Sequence, residues 1–507
     1  MTEIAGASAP FALGIDFGTA SSKAVLATLQ GHIVATATTP HAMDMPRPGW
    51  AEVDAEAVWW RDAVLLFREM VAAAGDHPIA AVGVSGVGPC LLLCDDHGAP
   101  TRPAILYGID MRATAEIDEL TQRFGASTIE QTCGKQLSTQ AVGPKMLWVR
   151  RNEPDVWARS ARWFNSSSFV THRLTGAYVL DHQTASQCDP LYDLGARHWH
   201  PTWAAEITAG LPLPELAWPG EVVGTVGADA AAATGLPART PVTAGTVDAW
   251  AEAFSAGVRG GGDLMLMYGS TMFFVQTISG LRTHPDLWAT NGVEPDTYTL
   301  AAGMATSGSI TAWMQQITGG VDFGQLVAEA ASTPPGADGL VMLPYFNGER
   351  TPVFDPQARG VIAGLTLRHT RGHLYRAIYE GIAFGIRQIL ELLDEACGAA
   401  QRIVAVGGGT RGGLWTQIVT DVTGRRQAVP EQTVGAAYGD ALLAAIGAGL
   451  VPPSTDWARI STTTEVDPST TALYDRMYEV YCDLYPATRP HVHQLAELQH
   501  EQDARTR

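Results

Sequence analysis

An α/β fold in two related halves is what this sequence predicts, and three observations carry the expectation. Strand-like and helix-like segments alternate along 507 residues. The chain opens on a β-hairpin whose tip is crowded with hydroxyls. A second hairpin with a Gly-hydroxyl-hydroxyl tip returns about 250 residues later.

In "LGIDFGTASSKAVLA" (13–27) the apolar stretches 11–15 and 24–27 read as neighbouring strands. The bend between them holds Asp16, Gly18, Thr19, Ser21, Ser22 and Lys23. Successive backbone N–H groups at such a bend cradle an anion, and hydroxyls and an ammonium add donors. A carboxylate beside a phosphate repels it unless a divalent cation stands between them. Asp16 therefore points to Mg²⁺ held through water; an ordinary hydrogen-bonded turn is the alternative.

Residues 54–75 read as an amphipathic helix, capped by Asp54 and ended by Gly75, with Trp59 and Trp60 in the core. "IAAVGVSG" (79–86) and "LLLCDDHG" (91–98) read as strands. "TAGTVDAWAEAF" leads from a small-residue strand into a helix that begins at Asp248. There Asp248 is either the helix N-cap or a general base that deprotonates an attacking hydroxyl. The second hairpin, "DLMLMYGSTMFFVQT" (263–277), lacks the carboxylate and the lysine of the first.

In 374–396 Gly381 and Gly385 lie on one helix face, where a neighbouring backbone can approach. "VGGGTRGG" (406–413) is a glycine turn between strand and helix, able to admit a flat ring or a phosphate. It fails the dinucleotide-binding spacing. Residues 434–450 form a small-residue helix, and 486–507 read as a polar tail that frays.

The formal charge of −19 argues against nucleic acid and anionic membranes as partners. Six scattered cysteines without a CxxC pair read as reduced thiols. The N-terminal stretch lacks the marks of a signal peptide, and no apolar run is long enough to span a bilayer. A cytoplasmic protein is expected. The histidines, "HWH" and "HVH" included, lack the carboxylate or cysteine neighbours of a zinc site.

The order of Asp-x-Gly-Thr, Asp248, the second hydroxyl bend and "GGGTR" resembles the FGGY carbohydrate kinases, nearest the xylulokinase branch. "PGWAEVD" (48–54), "RPAILYGIDMRA" (102–113), "GPKMLWVRRNEP" (143–154) and "ERTPVFDPQARGVIAGL" (349–365) extend the likeness across about residues 11–485. The resemblance implies two actin-like (ribonuclease H-like) ATPase domains with a central cleft. It places an N-terminal domain at 11–253 for sugar and phosphate, a C-terminal domain at 254–485 for nucleotide, and the tail beyond.

It implies ATP and Mg²⁺ as cofactors, with Asp16 reaching the metal through water and Asp248 as catalytic base. Thr19, Ser21 and Lys23 match the first phosphate motif, and Gly269, Ser270 and Thr271 the second. Gly308 falls where the family brings backbone close to the nucleotide, and Gly408, Gly409 and Gly412 match the adenosine motif.

The sugar pocket departs from the pattern. "SGVGPC" stands for the branch's "SGQMHG", so Gly88 and Pro89 replace a Met-His pair. Ala249 follows the base where a carboxamide is usual, and Ser167 and Ser168 replace a lysine-aspartate pair. Asp110 joins Gly88, Pro89 and Asp248 as an expected sugar contact, unless Arg112 and Asp110 simply pair with each other.

The implied reaction is phosphorylation of a ketopentose such as D-xylulose. The alternatives are another ketose or polyol, a sugar sensor, or an actin-like switch ATPase that turns over without sugar. The resemblance also allows a homodimer.

Overall fold

The structure, a computed structural model, describes residues 9–432 and 434–506. Residues 1–8, on which the signal-peptide reading partly rests, lie outside the described residues. The chain divides into two compact units that are not contiguous in sequence. The first joins residues 279–299 and 434–458 to the N-terminal 259, and the second takes 260–278, 300–433 and 459–507. Past the expected divide between 253 and 254, the chain thus returns to the first unit twice, at 279–299 and at 434–458.

The first unit is built on strands β1 (Phe11–Phe17), β2 (Ser21–Thr28), β3 (Ile33–Pro40), β4 (Ile79–Gly86), β5 (Val222–Thr225) and β6 (Pro241–Thr243). Their order is β5-β6-β4-β1-β2-β3, with β7 (Thr246–Val247) also paired to β4. β1 runs antiparallel to β2, opposing Asp16 to Lys23, and parallel to β4.

Alternation sorts β1 cleanly. Phe11, Leu13, Ile15 and Phe17 join one apolar cluster with Ala63, Leu66, Phe67 and Met70 of helix α1 (Arg61–Ala74). Ahead of α1 lies a π-helical turn, Ala55–Trp60, whose N-cap Asp54 accepts from the Glu56 and Ala57 N–H groups. Gly75 ends α1 at φ 56°. Trp59 is fully buried in the same cluster.

The opposite face of β1, bearing Ala12, Gly14 and Asp16, is small and receives helix α7 (Ala436–Gly447). A Cβ at Gly14 would lie 1.9 Å from the Ala437 carbonyl oxygen, and one at Gly83 would lie 2.1 Å from that of Asp440. These two notches let the α7 backbone rest on the sheet, which is why 434–458 belongs to this unit.

Elements that position the site and the second unit include α2 (Ser166–Thr175), α3 (Asp248–Ser255), α4 (Gly308–Ile317), α5 (Arg371–Cys397) and α6 (Leu414–Thr423). The second unit's strands are β8 (Asp263–Tyr268), β9 (Met272–Ile278), β10 (Tyr298–Met304), β11 (Arg402–Val406), β12 (Gln427–Pro430) and β13 (Ile460–Thr464). They run in the order β13-β12-β11-β8-β9-β10, with Trp288–Asn291 added beyond β10; the four strands from β11 to β10 repeat those from β4 to β3, while the outer two follow the opposite chain order. β8 is antiparallel to β9 and parallel to β11, as β1 is to β2 and β4. The repeat expected from the two hairpins therefore extends to the four-strand centre of each sheet.

On α5 the missing Cβ of Gly381 makes room for the Met342 carbonyl, 2.4 Å from where that atom would stand. The expected fraying tail is instead the C-terminal part of helix α8 (Thr471–Thr506). Val492 and Ala496 are buried, and Tyr485 and His493 both donate to Asp355. That anchoring holds a segment whose composition alone reads as polar. Among the described residues no helix is long and apolar enough to cross a membrane.

Candidate functional site

In the first unit, three parts of the fold bring carboxyl groups together. β1 carries Asp16 one residue before its end, α3 starts with Asp248 and presents Glu252 one turn later, and α7 carries Asp440. Gly439 allows the two helices to meet, since a Cβ there would lie 2.1 Å from the Ala251 carbonyl oxygen. Ser85, on β4, bridges the cluster: its Oγ stands 2.5 Å from Asp440 Oδ2 and 3.3 Å from Asp16 Oδ1.

One hydroxyl proton cannot serve both carboxyls. A carboxyl that keeps its own proton supplies the other bond. Asp440 is suited to this, because burial, and after it the charges of Asp16 and Asp248, hold it well above the usual carboxylate range against the Ser85 hydrogen bond. Asp440 Oδ1 is buried without a hydrogen-bond partner. Burial, then the Asp248 charge, also raises Asp16, and Lys23 opposes the shift. Burial raises Asp248, and burial with Asp248 pushes Glu252 up to about 7.

Asp248 is the first residue of α3; the N-cap is Val247. Asp248 Oδ1 accepts from the Ala249 N–H at 2.7 Å, and the residue is only partly buried. Its local geometry thus stabilises the helix start while leaving the group open on one side.

The hairpin tip closes with Gly18 N–H donating to the Ser21 carbonyl at 3.0 Å, and the Thr19 hydroxyl lies 3.0 Å from the Tyr107 hydroxyl. Lys23 is exposed. Gly88 lies against Asn165: a Cβ would stand 2.8 Å from Asn165 Nδ2, which is buried and unpartnered. Pro89 and Ser167 are buried, and Ser168 closes a capping box with Asn165 at the start of α2.

Asp110 pairs with Arg112, whose Nε and Nη2 approach its oxygens at 2.7–3.0 Å, and it also accepts from the Ala51 N–H at 2.7 Å. Of the two readings of this pair, mutual pairing is the one the geometry displays. Arg112 is in turn stacked over Trp50, 4.0 Å from the ring centre.

In the second unit, the tip Gly269–Ser270–Thr271 is held by the start of α4. Gly308 N–H donates to the Gly269 carbonyl at 3.0 Å, and Ser307 and Ser309 N–H donate to that of Ser270 at 3.0 and 3.1 Å. The missing Cβ of Gly308 accommodates this contact, standing 2.5 Å from the Gly269 oxygen. Gly308 therefore has a structural reason to be glycine in its packing against the second hairpin tip.

Gly408, Gly409 and Gly412 lie in the turn after β11. A Cβ on Gly408 would face open space, whereas one on Gly409 would strike Trp415 at 2.7 Å. Gly412 needs its glycine for a φ of 86°. A cavity of about 740 Å³ opens beside them, lined by Thr410, Arg411, Gly412, Gly413, Thr416 and Gln417 among others.

Asp440, Ser85 and Glu252 were not among the residues expected from sequence. Asp440 is the one charged residue in "AAYGDALLAAIG", and that isolation was the available signal.

Duplicated sheets, each with a hydroxyl-tipped hairpin, and an acid cluster beside the first tip define an actin-like phosphotransferase architecture. Comparison carries this to the family. The family model described as FGGY family of carbohydrate kinases, N-terminal domain, matches residues 11–255, and its C-terminal counterpart matches 260–448. The chain is 30% identical to the xylulose kinase of Escherichia coli (strain K12) over 447 residues, covering 86% of this chain and 90% of that one. The crystal structure of xylulose kinase from Rhodospirillum rubrum superposes with a TM-score of 0.88 at 34% identity, over 95% of this chain and 100% of that one. The glycerol kinase of Nocardia farcinica is 28% identical over 89% of this chain and 94% of its own length. The chain belongs to the FGGY family of carbohydrate kinases, and it is an ATP-dependent sugar kinase.

Proposed function

We propose that this sugar kinase phosphorylates a ketopentose, D-xylulose, with Asp248 as general base. The carrying observation is Asp248 itself: a partly open carboxylate at the start of α3, with a proton affinity raised by burial. A base works best when its pKa approaches the working pH, and burial moves a carboxylate in that direction. Asp248 takes the proton of the sugar hydroxyl as that oxygen attacks the γ-phosphorus, and the bond from that phosphorus to the β,γ-bridging oxygen breaks to release ADP. Likeness to the Escherichia coli and Rhodospirillum rubrum xylulose kinases supports the choice of sugar.

The carboxyl cluster also suits a divalent cation. Asp440 Oδ1 is an orphaned buried oxygen, and Asp16 is raised partly by a like charge that a cation would offset. Among the described residues no three His, Cys, Asp or Glu side chains stand close enough to ligate a metal together. In this reading Mg²⁺ arrives with ATP and is met by Asp16 through water. When bound, the ion neutralises charge on the transferring phosphoryl group.

Thr19, Ser21 and Lys23 are phosphate donors of the first unit, and Ser270 and Thr271 are hydroxyl donors of the same kind in the second. Gly408 and Gly412 leave backbone open to the adenosine end. Asp110 acts as a wall of the pocket through its pairing with Arg112, and Gly88 and Pro89 line it. The same reading places the enzyme in the cytoplasm and is compatible with a homodimer.

A polyol acceptor is the second reading, favoured by the Nocardia farcinica relative. ADP release from ATP·Mg²⁺, screened over ketopentoses, hexuloses, pentitols and glycerol with a sugar-free control, tests both. Stimulation greatest with D-xylulose supports the proposal, and stimulation greatest with glycerol selects the polyol. ADP release indifferent to every acceptor defeats both.

A further inference from the structure

We propose that His41 is a positioning residue for the phosphate-binding hairpin, holding the Gly18 carbonyl so that the Thr19 N–H faces the polyphosphate; this rests on the assignment of that tip to phosphate. His41 follows β3 and is nearly buried, its side chain 2% exposed. Its Nε2 lies 2.9 Å from the Gly18 oxygen, and its backbone N–H donates to the Ala20 carbonyl at 3.0 Å. One residue thus grips two carbonyls of the three-residue tip between β1 and β2.

In a trans peptide the N–H of one residue is anti to the carbonyl of the residue before it. Turning the Gly18 carbonyl toward His41 therefore turns the Thr19 N–H to the other side. Left free, that peptide could rotate and offer a carbonyl oxygen, which repels phosphate.

The imidazole is fixed from behind. Its Nδ1 lies 2.9 Å from Asp62 Oδ2, on α1, and Asp62 is fully buried. Ser22 Oγ donates to the same oxygen at 3.0 Å, and Arg61 donates to Asp62 Oδ1 through Nε at 3.0 Å and Nη2 at 2.7 Å. Both ring nitrogens of His41 thus stand at hydrogen-bond distance from oxygens of fixed neighbours.

The second tip shows what this brace accomplishes. There Gly269 occupies the place of Gly18, and its carbonyl is held by the Gly308 N–H and the Ser307 hydroxyl. The start of α4 performs with backbone what His41 performs with a side chain. Both tips have their first glycine carbonyl tied back, which aims the next N–H outward.

The test compares His41→Gln with His41→Asn. A glutamine amide nitrogen reaches the place of Nε2, whereas that of asparagine reaches only the place of Nδ1. Calorimetric titration with ATP and Mg²⁺ should show the asparagine variant binding at least about fivefold more weakly, and the glutamine variant within about twofold of the parent. The KM for sugar should be unchanged in both.

Asp62→Asn, nearly isosteric, loosens the ring and should weaken ATP in the same direction should the asparagine variant not fold. Equal ATP affinity in the parent and all folded variants, or a sugar KM that moves as far as ATP affinity, overturns the inference. A parent that binds ATP yet releases no ADP with any acceptor defeats the sugar proposal alone, because the titration still decides the role of His41.

Discussion

Gly83 and Asp440 meet backbone to backbone: a methyl group at 83 would stand 2.1 Å from the Asp440 carbonyl oxygen. The sheet and the helix bearing one of the clustered acids are therefore registered by the absence of an atom. Gly83→Ala must push α7 away from β4. A loss of about 3 kcal/mol, the upper end for overpacking, is expected as a lower urea midpoint.

Asp248→Asn keeps the shape of the side chain and its acceptor for the Ala249 N–H while removing its basicity. The expected result is a kcat lower by roughly a hundred- to ten-thousandfold, the span of general-base catalysis. ATP affinity, read by calorimetry, should hold. A near-normal kcat would remove Asp248 from the chemistry.

Glu252 gives a pH-dependent stability. Its folded pKa is raised to about 7 by burial and by Asp248, so the folded state binds the proton more tightly than the unfolded chain. The associated stability is complete below the unfolded value and is lost as pH rises through about 7. Glu252→Gln should therefore melt higher than the parent at pH 8, with the difference closing toward pH 4.5, in a metal-free melting series.

The glycine turn after β11 separates packing from binding. A Cβ at Gly408 meets nothing within 4 Å, whereas one at Gly409 meets Trp415 at 2.7 Å. Gly408→Ala should leave the melting temperature intact and raise the KM for ATP about tenfold. Gly409→Ala should lower the melting temperature.

Local chemistry made much of this legible. The β1–β2 hairpin announced itself by alternation around a glycine bend, and Asp54 and Gly75 marked the limits of a helical segment, although its first six residues take a π-helical turn. Gly381 correctly marked a close approach of backbone. Contacts between distant segments were not legible. Asp440 reaches Ser85 across 355 positions, and no local pattern announces such a meeting. The segment after residue 486 has a polar composition, and its anchor, Asp355, lies more than a hundred residues earlier. Asp110 and Arg112 illustrate the remaining ambiguity. Their spacing permits either mutual pairing or ligand contact, and side-chain geometry shows the pairing.

The late return of residues 434–458 to the first unit has a consequence for synthesis. As the ribosome works through residues 260–433, the β1–β2 sheet already exists in sequence, yet the helix that covers Ala12, Val25 and Ala27 has not been made. That apolar strip waits for its cover. Nascent chains stalled anywhere in this interval would present it, making them natural clients for a holding chaperone and poor candidates for expression as an isolated N-terminal fragment.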